Sequence, residues 1–71
     1  MSAPPAIWTV ARGADEDEVS NLLARLAERL GMTTPQITNG SIMLPADYPR
    51  VARALDEVEP DWEELLVPPV A

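Results

Sequence analysis

Carboxylates are the only side chains in this sequence whose type and spacing could carry acid–base or metal chemistry. The 71 residues include twelve Asp and Glu but no His, no Cys and no Lys. The chain therefore lacks an ordinary general base near neutral pH, a thiolate nucleophile, a Schiff-base amine and the usual zinc ligands. Most enzymatic chemistries are excluded on composition alone.

The acids gather in two stretches. Residues 15–18 could attract Ca²⁺, which prefers several carboxylate oxygens, but their spacing is not that of an EF-hand and consecutive helical residues point around the axis. The second stretch consists of Glu57, Glu59, Asp61, Glu63 and Glu64. A catalytic pair there would need an enclosed cleft, which a chain this short rarely forms. We predict no catalytic residue, no cofactor and no metal site, and expect the protein not to be an enzyme.

A helix is predicted at residues 16–30. Apolar residues recur at helical spacing, namely Val19, Leu22, Leu23, Leu26, Ala27 and Leu30. Asp15 can cap the helix while Glu18 reaches back, and Gly31 stands where a left-handed residue belongs. The first acidic stretch is then a helical first turn, where negative charge is favoured.

Residues 38–41 predict a β-hairpin. Asn39-Gly40 between β-forming residues is the preferred type I′ turn, because both central residues need positive φ. The pairs that this loop imposes are Thr38 with Ser41, Ile37 with Ile42, and Gln36 with Met43. Because side chains alternate across a strand, Ile37, Ile42 and Leu44 should face the core. The half-polar opposite face should carry Gln36, Thr38, Ser41 and Met43.

Two more elements complete the pattern. Residues 6–12 are β-branched and aromatic and predict a first strand. A second helix is predicted to begin near Asp47 and to stop or kink at Pro60. Its apolar stripe consists of Val51, Ala54, Leu55 and Val58.

Residues 60–67 leave two alternatives open. Trp62, Leu65 and Leu66 fit the spacing of a short helix opened by the proline. A strand at residues 63–67 would instead complete a ferredoxin-like order. In either form, the apolar side chains must pack back on the helices or bury in another chain.

The predicted fold class is α+β. The length allows one domain with a small core. We expect a small two-layer domain of order βαββα, with two helices packed on one face of a three-stranded sheet; four strands are the ferredoxin-like alternative. The domain should span residues 6–67, between a flexible Pro-rich N-terminus at 1–5 and a Pro-rich C-terminal tail at 68–71.

So short a chain has neither disulfides nor a Cys/His metal site, so either idealised packing or self-association must stabilise it. We expect a protein partner or a second copy of the chain. A homodimer at micromolar concentration is the form we predict. The candidate partner-binding residues are Trp8, Met43, Trp62, Leu65, Leu66 and Val67. Trp is enriched at interfaces but is equally a large core residue, so a core position is the alternative for both tryptophans.

Other partners and locations are disfavoured by charge and hydropathy. Five arginines against twelve acids, with a formal charge of -7, leave no basic stripe for nucleic acid. No apolar run approaches the roughly 20 residues that span a bilayer. The start does not read as a signal peptide, so we expect a cytoplasmic protein without a membrane partner. Arginine without lysine indicates GC-rich coding DNA, as in many bacteria and their phages.

Val10-Ala11-Arg12-Gly13, the acidic helix start and Leu22-Leu23 resemble the opening of the small epsilon subunits of actinobacterial acyl-CoA carboxylases. The resemblance covers a short N-terminal stretch, with the helix phase shifted by one residue. The acidic second half with its Asn-Gly turn departs from that family. The resemblance implies an accessory, non-catalytic subunit.

The sequence therefore predicts a non-enzymatic interaction or assembly module. It would act as a homo-oligomer or as an accessory subunit of a larger bacterial or phage complex. The alternatives are an acidic inhibitor or regulator, including a nucleic-acid mimic, and an accessory subunit like carboxylase epsilon. Apolar assembly should survive high salt, whereas binding of an acidic face to a basic partner should be abolished by it.

Overall fold

The computed structural model describes residues 6–69 and contains two helices beside a three-stranded antiparallel sheet. The elements are β1 (Ala6–Val10), α1 (Glu16–Leu30), β2 (Ser41–Leu44), α2 (Tyr48–Val58), a 3₁₀ turn (Trp62–Glu64) and β3 (Leu66–Val67). The strand order is β2-β1-β3, so β1 is central. The predicted α+β class with three strands is confirmed; a fourth strand and a ferredoxin-like order are not found within residues 6–69. The predicted N-terminal segment 1–5 and residues 70–71 of the predicted tail lie outside the described residues.

Helix α1 has the predicted bounds. The backbone of Asp15 is extended, and its Oδ1 accepts a hydrogen bond from the backbone N–H of Asp17 at 2.8 Å. This satisfies one of the donors that a helix start leaves free. The predicted hydrogen bond between the Glu18 side chain and the capping residue Asp15 does not form within the described residues. Gly31 ends the helix in the left-handed conformation, with φ of 71°.

The Asn-Gly turn forms as predicted. Asn39 and Gly40 have φ of 51° and 75°, the two positive values that a type I′ turn needs. Thr38 and Ser41 exchange both backbone hydrogen bonds at 2.9 Å and form the first predicted pair. The turn is therefore confirmed together with its closing pair.

The rest of the predicted hairpin is wrong: beyond Thr38, residues 36 and 37 do not pair with β2, and the other edge of β2 pairs with β1. Its register against β1 is Ala6 with Leu44, Ile7 with Met43, Trp8 with Ile42, and Thr9 with Ser41. Gln36, which the predicted ladder would place in hydrogen-bonding position opposite Met43, does not pair with it. Ile37 is half-buried against the core, on the side predicted for it.

The C-terminal segment combines both predicted alternatives. One 3₁₀ turn at Trp62–Glu64 is followed by β3, where Leu66 lies opposite Val10 and Val67 opposite Thr9. Helix α2 ends before Pro60, as predicted, and Asp47 caps it through a long hydrogen bond of 3.4 Å from the backbone N–H of Arg50. The segment therefore returns the chain to the free side of β1.

The core lies between the sheet and the two helices. Its buried residues are Trp8, Val19, Leu22, Leu23, Leu26, Ile42, Leu44, Val51, Ala54, Leu55, Trp62 and Leu66. The Trp8 ring stacks on Tyr48, with centroids 5.7 Å apart, and meets Trp62 at 5.6 Å. Both helices therefore cover one face of the sheet, and the other face is left open.

Candidate interaction surface

Three of the six predicted partner-binding residues are core residues. Trp8, Trp62 and Leu66 are at most 4% exposed. The Trp62 Nε1–H donates to Oδ1 of Asp56 at 2.6 Å, whereas the buried Trp8 Nε1 has no hydrogen-bond partner within the described chain. The assignment of these three side chains to a partner surface is therefore corrected, because folding of the C-terminal segment onto the helices buries them. Leu65 is half-buried at the edge of the core.

Met43 and Val67 lie at the surface, on the side of the sheet away from the helices. They are 59% and 44% exposed, and Ile7 beside them is 57% exposed. Ile7 neighbours the buried Trp8, so strand alternation places its side chain on the side of the sheet away from the helices. The structure thus brings together two of the predicted residues and adds a third.

We call this surface the open face and define it as Ile7, Thr9, Ser41, Met43 and Val67. Ile7 lies directly opposite Met43, and Thr9 lies between Ser41 and Val67. The open face therefore has an apolar pair at one end and two hydroxyls beside a valine at the other. None of its side chains is charged, although charged residues make up 24% of the sequence.

A shallow concavity adjoins the open face on the β2 side. Its volume is about 510 Å³, and its lining residues are Ile7, Pro35, Gln36, Thr38, Ser41 and Met43. The segment that failed to pair with β2 thus forms one wall of it. The predicted half-polar face of the hairpin is therefore present, with the central strand completing it.

The outer edges of the sheet offer few free backbone groups. Ser41 already bonds to Thr38, so Met43 is the next residue of β2 whose N–H and C=O point outward. Pro45 follows and has no N–H. On β3, Pro68 occupies the next outward-pointing position. An added strand would find little to bond, so the face is a better surface for a partner than either edge.

Acidic side chains meet beyond the C-terminal end of β1. A concavity of about 530 Å³ there is lined by five carboxylates and one cation, which we call the acidic end: Arg12, Asp15, Glu18, Glu59, Asp61 and Glu64. The two acidic stretches of the sequence are thus neighbours in space. Within residues 6–69, no three of these acids are placed to hold a metal ion.

Arginines gather on the two helices, between the end of α1 and α2. We define the arginine end as Arg29, Arg50 and Arg53, which line a smaller concavity with Leu30, Ala54 and Glu57. The Nε–H of Arg29 donates to Oε2 of Glu57 at 2.7 Å. Arg50 and Arg53 have no ion pair among the described residues. The arginine end thus lies on the two helices, on the side of the sheet away from the open face.

Comparisons with protein-family models, with curated proteins and with solved structures find no match to this chain. The resemblance to carboxylase epsilon subunits therefore rests only on residues 10–13, the acidic start of α1 and Leu22-Leu23.

Neither helix within residues 6–69 has the length and hydropathy needed to cross a membrane.

Proposed function

We propose that this protein is a non-enzymatic interaction module that binds a protein partner through the open face. The observation that carries the proposal is the placement of Ile7, Met43 and Val67. These are three of the four large hydrophobic residues exposed on the described surface, and they share one side of the sheet. Scattered exposed apolar residues are normal, but a contiguous uncharged patch is typical of an interface.

The fourth exposed hydrophobic residue does not compete with this surface. Tyr48 stacks on Trp8 at the start of α2, so its ring already packs on the core. Its partial exposure reflects a position at the edge of the core, where its ring covers Trp8. The open face has no such internal partner, which supports its assignment as the binding surface.

The proposed module serves as a homo-oligomer or as an accessory subunit of a larger assembly. Both roles use the same surface, because both require burial of the apolar pair Ile7 and Met43. An accessory role is also what the resemblance to carboxylase epsilon subunits implies. A cytoplasmic location and a bacterial or phage origin stay predictions from the sequence.

A second candidate function, an acidic regulator, is favoured by the acidic end. Five carboxylates around one concavity create a local negative potential that attracts a basic partner. Arg12 lines the same concavity and weakens that potential. This candidate therefore ranks below binding through the open face.

Affinity capture with matched variants tests the proposal. Immobilised wild-type protein is exposed to a lysate of the host, to which an untagged copy of the chain has been added. We expect wild type to retain a protein that Met43→Glu loses, since a carboxylate within the apolar pair of the open face opposes burial. Ala24→Glu is the control, because it adds the same charge at an exposed position of α1.

The variants must first be shown to fold by their thermal melts. Ile7→Thr is a second face variant, because threonine keeps the β-propensity of the strand while removing apolar surface. If every captured protein, including the untagged copy, is retained equally by wild type and by both face variants, the proposal is wrong.

A further inference from the structure

We infer that the arginine end binds a small molecule through a phosphate group, either free phosphate or a phosphate monoester. The site lies on the two helices, away from the open face, so it is independent of the proposed function. Arg29 reaches it from the last turn of α1, and Arg50 and Arg53 reach it from α2. The chain has five arginines and no lysine, so three of its five cationic side chains meet at one concavity.

Helical spacing brings these side chains together. Arg50, Arg53 and Glu57 follow one another at intervals of three and four residues on α2, so they share one face of that helix. The end of α1 packs beside this face, where Nη2 of Arg50 donates to the carbonyl of Leu30 at a long 3.4 Å. Guanidinium groups from two helices therefore line the same concavity.

The carboxylates at this concavity do not balance its positive charge. Among the described residues, Glu57 is the only acid that lines it, and its Oε2 accepts a hydrogen bond from Nε of Arg29 at 2.7 Å. Asp47 accepts instead from the backbone N–H of Arg50 at the cap of α2. Three arginines less one glutamate leave two uncompensated positive charges.

This excess is unusual in a chain with twelve acids. Arg50 and Arg53 have no ion pair within residues 6–69, and Glu57, four residues after Arg53, pairs with Arg29. Like charges at helical neighbour positions repel each other and destabilise the helix. A bound anion relieves that repulsion.

Charge and shape favour phosphate as the ligand group. A phosphate monoester carries about -1.5 to -2 charges at pH 7, which matches the local excess, whereas a carboxylate carries a single charge. The planar guanidinium forks hydrogen-bond phosphate oxygens in bidentate geometry. The volume of the concavity is about 210 Å³, below the range of about 300–1,000 Å³ typical of sites that enclose drug-sized ligands. It therefore suits one oxyanion with a small attachment, which Leu30 and Ala54 would contact.

The charge of the whole molecule limits the size of the ligand. A formal charge of -7 repels a long polyanion such as nucleic acid. A small anion at the arginine end is affected mainly by charges within one Debye length, about 8 Å at physiological ionic strength. Exposed guanidinium groups bind such an ion weakly, so we expect a dissociation constant of about 1 mM.

Titration of ¹⁵N-labelled protein with inorganic phosphate tests the inference. Ionic strength is held constant with NaCl, and the amide signals of Leu30 and Ala54 report on the site. We expect saturable shifts, with an affinity that Arg53→Gln weakens by about tenfold or more. Arg12→Gln is the matched control, because it removes the same charge at the acidic end and should leave the affinity within about twofold.

The variants should keep the fold. The side chain of Arg53 makes no hydrogen bond and no ion pair within the described residues, so its replacement removes no internal contact of that kind. Arg50→Gln is a second variant, and its affinity should fall in the same way. Thermal melts of all variants establish that each is folded before its affinity is compared.

Two further ligands identify the anion. Acetate should bind at least about tenfold more weakly than phosphate, because it carries less charge. Ribose 5-phosphate distinguishes the sources, since tighter binding than that of inorganic phosphate indicates an organic monoester and equal binding indicates free phosphate. Shifts that do not saturate by about 20 mM phosphate overturn the inference, as do equal losses in Arg53→Gln and Arg12→Gln. Acetate binding as tight as that of phosphate also overturns it.

Discussion

At residue 40 the chain requires a backbone conformation that few residues adopt. Gly40 has φ of 75°, and no neighbouring atom lies within 4 Å of the position that a Cβ would take. A side chain at this position would therefore not clash, but its backbone conformation would be strained. Asn39, at φ of 51°, tolerates the same region better than most residues. The turn is therefore specified by backbone preference alone.

We predict that Gly40→Val lowers the free energy of unfolding by about 2 kcal/mol, because a β-branched residue is strained at positive φ. For a domain of this size, the corresponding loss in Tm is about 10 °C. Gly40→Asn is the matched control and should lose far less. Equal melting temperatures for the two variants would show that strain at this φ does not govern the stability of the turn.

The two buried tryptophans differ in one respect that can be measured. Trp62 donates its indole N–H to Asp56, whereas Trp8 finds no acceptor among the described residues. Replacement of either by Phe removes a similar volume from the core. The difference between the two variants therefore reports on the hydrogen bond.

We predict that Trp62→Phe destabilises the protein by at least about 1 kcal/mol more than Trp8→Phe, because only the first loses a hydrogen bond to a carboxylate. Urea unfolding followed by far-ultraviolet circular dichroism provides the measurement. An equal or greater loss in Trp8→Phe would indicate that the Trp62–Asp56 bond contributes nothing net.

At the scale of elements, the shortest strand has the largest effect on architecture. β3 contains only two residues, yet Leu66 and the neighbouring Trp62 are both part of the core. The backbone N–H of Ala11 also donates to the carbonyl of Leu65 at 2.9 Å. The C-terminal segment is thus an integral part of the fold.

We predict that truncation after Pro60 abolishes cooperative unfolding, because it removes two large side chains that each contribute several kcal/mol to a small core. Truncation after Val67 keeps β3 and should leave a folded domain. Thermal melts of the two shortened chains provide the comparison. A cooperative melt of the Pro60 truncation near the wild-type temperature would refute the packing role of this segment.

The helices are held together by arginines as well as by the core. Arg25 donates to the carbonyl of Val58 at 3.0 Å and pairs with Glu59 at 3.7 Å, and Arg29 pairs with Glu57. These pairs are exposed, so each contributes little to stability. Their more important effect is to neutralise charge, at Glu57 on α2 and at Glu59 of the acidic end.

At the scale of the whole molecule, apolar and charged surfaces are separated. The open face carries no charge, while the formal charge of -7 resides on the surrounding surface. Two copies that approach each other therefore repel through their net charge and attract through their apolar faces. Salt screens the charge repulsion and leaves the apolar attraction almost unchanged.

We predict that raising NaCl from about 0.1 M to 0.5 M tightens self-association severalfold, because screening removes repulsion between two acidic molecules. Sedimentation equilibrium at the two salt concentrations provides the measurement. Weaker self-association at the higher salt concentration would contradict this prediction and mean that attraction between opposite charges dominates the contact. Salt-sensitive binding to a basic protein would instead favour the acidic regulator.

Local features of this protein follow from the sequence alone. The bounds of α1, its caps at Asp15 and Gly31 and the Asn-Gly turn could all be predicted, because each depends on residues close together in the chain. Helical periodicity and positive φ are local properties that a short segment expresses by itself. The same holds for the alternation that places Met43 on an outer face.

Strand pairing and burial were decided only by the tertiary structure. The Asn-Gly turn was expected to pair β2 with residues 36–38, but only Thr38 pairs, while the other edge of β2 pairs with β1 and buries Trp8 and Ile42 together. Whether Trp62 and Leu66 lie in the core depends on a segment far along the chain that folds back on β1. Such contacts depend on competition among distant segments, which local patterns do not resolve. The open face exists because both helices occupy the other side of the sheet.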